Sequence, residues 1–80
     1  MSNRRLPRKA SSKKVMNLLV HEGYIPKPKK TSGSHVIFEK EGKRPIPVSA
    51  FKYIPIGTLR DILKQAGISR TRFWDIWDDI

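Results

Sequence analysis

Two pairs of prolines, Pro26 with Pro28 and Pro45 with Pro47, stand on either side of a proline-free run from His35 to Lys40. Within each pair the prolines are two residues apart, so in an extended strand both missing N–H groups fall along the same edge. A strand of that kind pairs through its other edge only and belongs at the border of a sheet. The run between them alternates, with Val36 and Phe38 on one face and His35, Ile37 and Glu39 on the other. It is expected as the central strand of a three-stranded antiparallel meander whose outer strands carry the prolines. Glu41-Gly42 fits a tight hairpin turn between the second strand and the third.

Helical spacing lies outside that block. Val15, Met16, Leu18 and Leu19 follow Ser11 and Ser12, either of which can serve as an N-cap, and Gly23 ends the pattern. A helix is therefore expected over about residues 12 to 22. After a loop through Lys52 and Tyr53, the residues Leu59, Ile62, Leu63 and Ala66 signal a second helix that stops at Gly67, with Thr58 as its local cap. Ser69 caps a short last helix on which Phe73, Ile76 and Ile80 share a stripe. Trp74 and Trp77 beside it read either as packing residues or as an anchor for a protein partner. The expected fold class is α+β, in the order α-β-β-β-α plus a short C-terminal helix, with the helices on one face of the sheet in a two-layer sandwich. Residues 1–10 are expected to be a flexible basic segment and residues 11–80 a single domain, since 80 residues support one thin core.

Charge narrows the partner. The chain carries 17 Lys and Arg against 7 Asp and Glu, a formal net charge of +10, and nine of the basic residues fall between Arg4 and Lys30. Such a field attracts polyanions, and nucleic acid is the expected one, bound through phosphate contacts. Lys13 and Lys14 occupy the first turn of the first helix, where a cation opposes the helix dipole unless a phosphate is bound. There is no cysteine, the longest apolar run is Leu18-Leu19-Val20, and no apolar segment follows the basic start as in a secretory leader. A soluble, cytoplasmic protein without a membrane partner is expected.

Most enzyme classes lack their residues. His21 and His35 lie in different elements without a Cys or carboxylate at ligand spacing, so no metal or cofactor is expected. His21, near the end of the first helix, is placed to favour the helix C-terminus. Ser34 beside His35 is no hydrolase triad, because neighbouring strand residues face opposite ways. Gly57-Thr58 lacks the spacing and lysine of a phosphate loop. What remains is Gly33-Ser34-His35 opening the central strand, with Gly33 suited to a turn.

Here the chain resembles the HicA family of toxin–antitoxin modules. The likeness rests on Leu6-Pro7-Arg8, Glu22-Gly23-Tyr24, Gly33-Ser34-His35 and the run Gly57-Thr58-Leu59-Arg60-Asp61-Ile62-Leu63-Lys64-Gln65-Ala66-Gly67-Ile68-Ser69. The resemblance implies a fold like that of double-stranded-RNA-binding domains (dsRBD-like), metal-independent cleavage of mRNA with the histidine of the GSH motif, His35, essential, and a HicB-type antitoxin as partner. Imidazole suits such a role because it exchanges protons near neutral pH. Lys29, Lys30, Lys43 and Arg44, on strands and turns beside the central strand, are the expected cations for the phosphate, with Lys13 and Lys14 as further RNA contacts. Family members often carry a second histidine in a Pro-x-His motif, where this chain has Pro47-Val48-Ser49. Two non-enzymatic readings stay open beside the endoribonuclease: an RNA-binding module of the same fold, and an inactive partner that binds only protein.

Overall fold

A computed structural model describes residues 4–28 and 35–80. Its elements run β1 (Lys9–Ser11), α1 (Ser12–His21), β2 (Ile25–Pro28), β3 (His35–Glu39), β4 (Ile46–Ser49), β5 (Tyr53–Pro55), α2 (Ile56–Ala66) and α3 (Arg70–Trp77). The larger sheet has the order β2-β3-β4 and is antiparallel throughout, so the proline-free strand is central. Pro26 and Pro28 lie on one border and Pro47 on the other, while Pro45 precedes β4. The hairpin between β3 and β4 closes through the Lys43 N–H, which donates to the Lys40 carbonyl at 3.0 Å, with Gly42 at φ 78°. That is the type II turn geometry, which calls for glycine at its third position.

One face of this sheet is covered. Phe38 pairs in register with Ile46 and Val36 with Val48, and Phe38, Ile46 and Val48 are buried against helices. From α1 come Val15, Leu18 and Leu19, and from α2 Leu59, Ile62 and Leu63, each group at the spacing that puts it on one helix face. The molecule is thus a two-layer α+β sandwich of the expected dsRBD-like kind. Ser11 caps α1 by accepting the Lys14 N–H at 3.4 Å. His21 is the last helical residue, and its ring nitrogen lies 3.9 Å from the Glu22 carboxylate.

Two elements were invisible to periodicity. β1 and β5 form a separate antiparallel ribbon in the register Lys9↔Pro55, Ala10↔Ile54 and Ser11↔Tyr53. Ala10 and Ile54 point into the core, and three residues per strand are too few to show an alternating pattern. The stretch through Tyr53 expected as loop is therefore partly strand, and residues 4–10 of the basic segment expected to be flexible make contacts within the fold. Arg4 stacks its guanidinium 3.6 Å from the Trp74 ring centre and donates to Asp78 at 2.7 Å, while Trp74 Nε1 donates to the Arg4 carbonyl at 3.3 Å.

α2 starts earlier than its apolar stripe indicates. The N-cap is Pro55, without a side-chain cap, and the Ile56 N–H instead donates to the Arg8 carbonyl at 2.8 Å. Thr58 lies inside the first turn and does not cap the helix, because the N-terminal segment supplies the acceptor. Gly67 ends α2 at φ 71°, in the left-handed region. Ser69 caps α3 by accepting the Arg72 N–H at 3.1 Å. Phe73, Ile76 and Trp77 are buried, with the Trp77 ring stacked 4.8 Å from Phe73, so Trp77 is a core residue. Trp74 is half-buried, edge-on to Phe73 and beneath Arg4.

A polar clasp closes the far end of α1. Arg72 donates to both Glu22 carboxylate oxygens, at 3.1 and 3.2 Å, and Lys40 donates to the Glu22 carbonyl at 2.8 Å. The Arg72 hydrogen bonds hold the Glu22 carboxyl below its ordinary pKa, against an opposing effect of burial.

Candidate functional site

His35 opens β3. Because Val36 and Phe38 turn towards the helices, alternation puts His35, Ile37 and Glu39 on the opposite face of the sheet, and His35 is exposed there. Its partner across the β3–β4 ladder is Ser49. Directly opposed residues on antiparallel strands share a face, with Cβ atoms about 5 Å apart. By the same rule Lys27, the β2 partner of Ile37, stands on the His35 face. Ser49 is itself held in place, since its hydroxyl oxygen accepts the Phe51 N–H at 3.2 Å.

The expected cations divide by position. Lys13 borders a cleft with Met16, Val36, Ala50 and Lys52, at the end of the sheet where His35 and Ser49 lie. Lys14 turns the other way, with its ammonium 4.5 Å from the Trp77 ring centre. Lys43 and Arg44 belong to the hairpin at the opposite end of β3. A five-residue strand separates them from His35, which at strand rise is more than about 13 Å. They lie beside the central strand but away from His35, and the Lys43 ammonium reaches towards Gly67. Lys29, Lys30, Gly33 and Ser34 lie outside the described residues. Gly57 and Thr58 are exposed in the first turn of α2.

Other residues now gather where sequence reading had not placed them. Lys9 and Lys52 set their ammoniums 4.5 and 5.6 Å from the centre of the Tyr53 ring. Tyr53 is 46% exposed and Phe51, two positions beyond Ser49, is 68% exposed. This group depends on the β1–β5 ribbon, so no periodic signal announced it. Lys27 could have been found, because it alternates with Pro26 and Pro28 on a legible strand. Arg5, Arg60 and Arg70 also converge, around Leu6 and Ile56, although they are far apart in the chain.

Together these features put an exposed imidazole on a rigid strand, a hydroxyl opposite it, and several ammoniums near the same end of the sheet. That arrangement can exchange a proton with an anionic ligand while its charge is balanced. Among the described residues, no three His, Asp or Glu side chains come together as metal ligands. No helix among them is long and apolar enough to cross a membrane.

Comparison with known proteins supplies a family. The model of the family described as the HicA toxin of bacterial toxin–antitoxin modules matches residues 12–68. A chain of a solved toxin–antitoxin complex from Streptococcus pneumoniae is similar in fold, with a TM-score of 0.65 and 35% sequence identity. The similarity covers 78% of the present chain and 100% of that one. No curated protein sequence matches the chain significantly.

Proposed function

Since the chain belongs to the HicA family of bacterial toxins, we propose that it is an mRNA-cleaving endoribonuclease in which His35 transfers the proton. The observation that carries this reading is the exposed His35 on the open sheet face, beside Ser49 and within a basic surface. RNA contains its own nucleophile. A ring nitrogen of His35 accepts the 2′-hydroxyl proton, the freed oxygen attacks the adjacent phosphorus, and the bond from phosphorus to the 5′-oxygen breaks. The 5′-oxygen takes a proton from water, the hydroxide so formed takes the proton held by His35, and the products are a 2′,3′-cyclic phosphate upstream and a 5′-hydroxyl downstream. Lysine ammoniums offset charge on the phosphate as it forms. None of these steps calls for a metal.

His35→Gln should abolish cleavage of RNA while leaving the melting temperature and RNA binding nearly unchanged, because the residue is exposed and phosphate contacts come from other side chains. Cleavage by the parent should persist in EDTA. Equal cleavage by the His35→Gln variant would remove His35 from the mechanism.

Ser49 favours a second reading, a non-catalytic RNA-binding module, because family members often carry a histidine there. A histidine at position 49 would stand directly across the ladder from His35. Ser49→His is therefore expected to raise the cleavage rate, and a parent that binds RNA without cutting it would establish the module instead. The partner proposed for either form is a HicB-type antitoxin whose acidic surface covers the His35 face, in keeping with 17 basic residues against 7 acidic ones.

A further inference from the structure

The aromatic residues at the His35 end of the sheet are not needed by the fold. Phe51 is the most exposed of the large apolar side chains described, at 68%, and it sits between elements, not in the core. Its backbone is nevertheless fixed, since its N–H donates to Ser49 Oγ at 3.2 Å and Ser49 opposes His35 in the ladder. Two residues span roughly 7 Å at most, so the Phe51 backbone is held within that distance of the strand position that opposes His35. Beyond it Tyr53 presents its ring on the outer side of the β1–β5 ribbon, because Ile54 and its partner Ala10 take the inner side. Lys9 from one strand and Lys52 from the approach to the other hold their ammoniums over that ring, at 4.5 and 5.6 Å. An exposed aromatic ring beside lysines steadied by cation–π contact is the composition of a surface that takes single-stranded nucleic acid. Every base offers a π face, and every linkage offers a phosphate.

Resting on the ribonuclease reading above, we propose that Phe51 is a stacking platform for an unpaired nucleobase of the RNA substrate, next to His35, with Lys9 and Lys52 on neighbouring phosphates. Tyr53 is a positioning residue that aims the two lysines. The site selects single-stranded RNA, because a base inside a duplex has no free face for the ring. A protein partner would be served equally well by the apolar ring, but Lys9 and Lys52 sit over Tyr53, and the adjoining cleft is lined by Lys13 and Lys52 with no acid in its lining. That charge pattern favours a polyanion.

The test separates this site from catalysis by using a substrate that cannot be cut. Short single-stranded 2′-O-methyl RNA oligonucleotides, with 2-aminopurine moved along the strand, report binding by anisotropy and stacking by quenched fluorescence. The parent is expected to bind and to quench at one position. Phe51→Leu should lose the quenching and weaken binding about tenfold, the effect of one lost stack, and Phe51→Trp should restore both. Lys9→Gln with Lys52→Gln should flatten the slope of log affinity against log salt by about 1.4 for two phosphates. Undiminished affinity and quenching in Phe51→Leu would overturn the platform while leaving the ribonuclease reading intact. Binding and quenching by a parent that cleaves no RNA would retain the platform and refute the ribonuclease, and a parent that binds no single strand refutes both. If Phe51→Leu keeps its RNA affinity but no longer co-purifies with the antitoxin, the patch is a protein interface and the RNA assignment falls.

Discussion

Glu22 is where a single side chain has most to do with holding parts together. Its carboxylate accepts two hydrogen bonds from Arg72 on α3, and its carbonyl accepts one from Lys40 beside the hairpin. The carboxyl is held below its usual 4.5, first by the Arg72 hydrogen bonds. A group whose folded pKa is depressed contributes stability above its unfolded pKa and loses it as pH falls through the folded value. Glu22→Gln should therefore lower the thermal midpoint at pH 7. The gap from the parent should close as both are melted at successively lower pH below about 4.5. A gap that stays constant down to pH 2 would mean that the clasp contributes through shape and not through charge. Residue-scale chemistry was only partly legible: Glu22-Gly23 marked the end of a helix, but nothing in the spacing of 22 and 72 joined them.

At the scale of the element, α2 shows how the same residue type can matter in opposite ways. Gly67 ends the helix at φ 71°, where a Cβ is strained, although the nearest atom it would meet, the Lys43 ammonium, is 3.5 Å away and mobile. Gly57 lies in the first turn with ordinary φ, and a Cβ there meets nothing within 4 Å. Gly67→Ala is expected to cost about 1 kcal/mol. Gly57→Ala is expected to stabilise by about 0.5 kcal/mol, by restricting the unfolded chain. Urea unfolding of both variants reads the two signs, and a loss at Gly57 would show that its motif position needs backbone freedom. Strong periodicity made α1, α2 and the central strand readable, whereas β1 and β5, with three residues each, had no period to read.

For the molecule as a whole, the decisive quantity is the uneven charge. The +10 net charge is not spread evenly, and folding refines what the sequence separates. Arg4 is drawn to Asp78 of the acidic C-terminal end, while Lys9 and Lys52 gather around Tyr53 and Lys13 lines a cleft at the His35 end of the sheet. RNA affinity of the whole chain should fall steeply between low and physiological salt, by about 0.7 in log affinity per log salt for each phosphate of a single strand contacted. Equilibrium titrations at several salt concentrations give that slope, and an affinity indifferent to salt would exclude a phosphate-dominated interface.

Local rules settled much of this protein before any contact was known. Prolines confined two strands to the borders of a proline-free central one, alternation put His35 on the face opposite Val36 and Phe38, and Ser11, Gly67 and Ser69 marked helix ends. Each of these depends on neighbours within a turn or a strand, which is why they could be read along the chain. Tertiary structure alone decided that Ser49 faces His35, that Lys13 shares its end of the sheet while Lys43 and Arg44 do not, and that Arg8 rather than Thr58 satisfies the start of α2. It also set Lys9 and Lys52 around Tyr53. Those pairings join segments distant in sequence, and their geometry follows from how the sheets and helices close over one core, which no local pattern encodes.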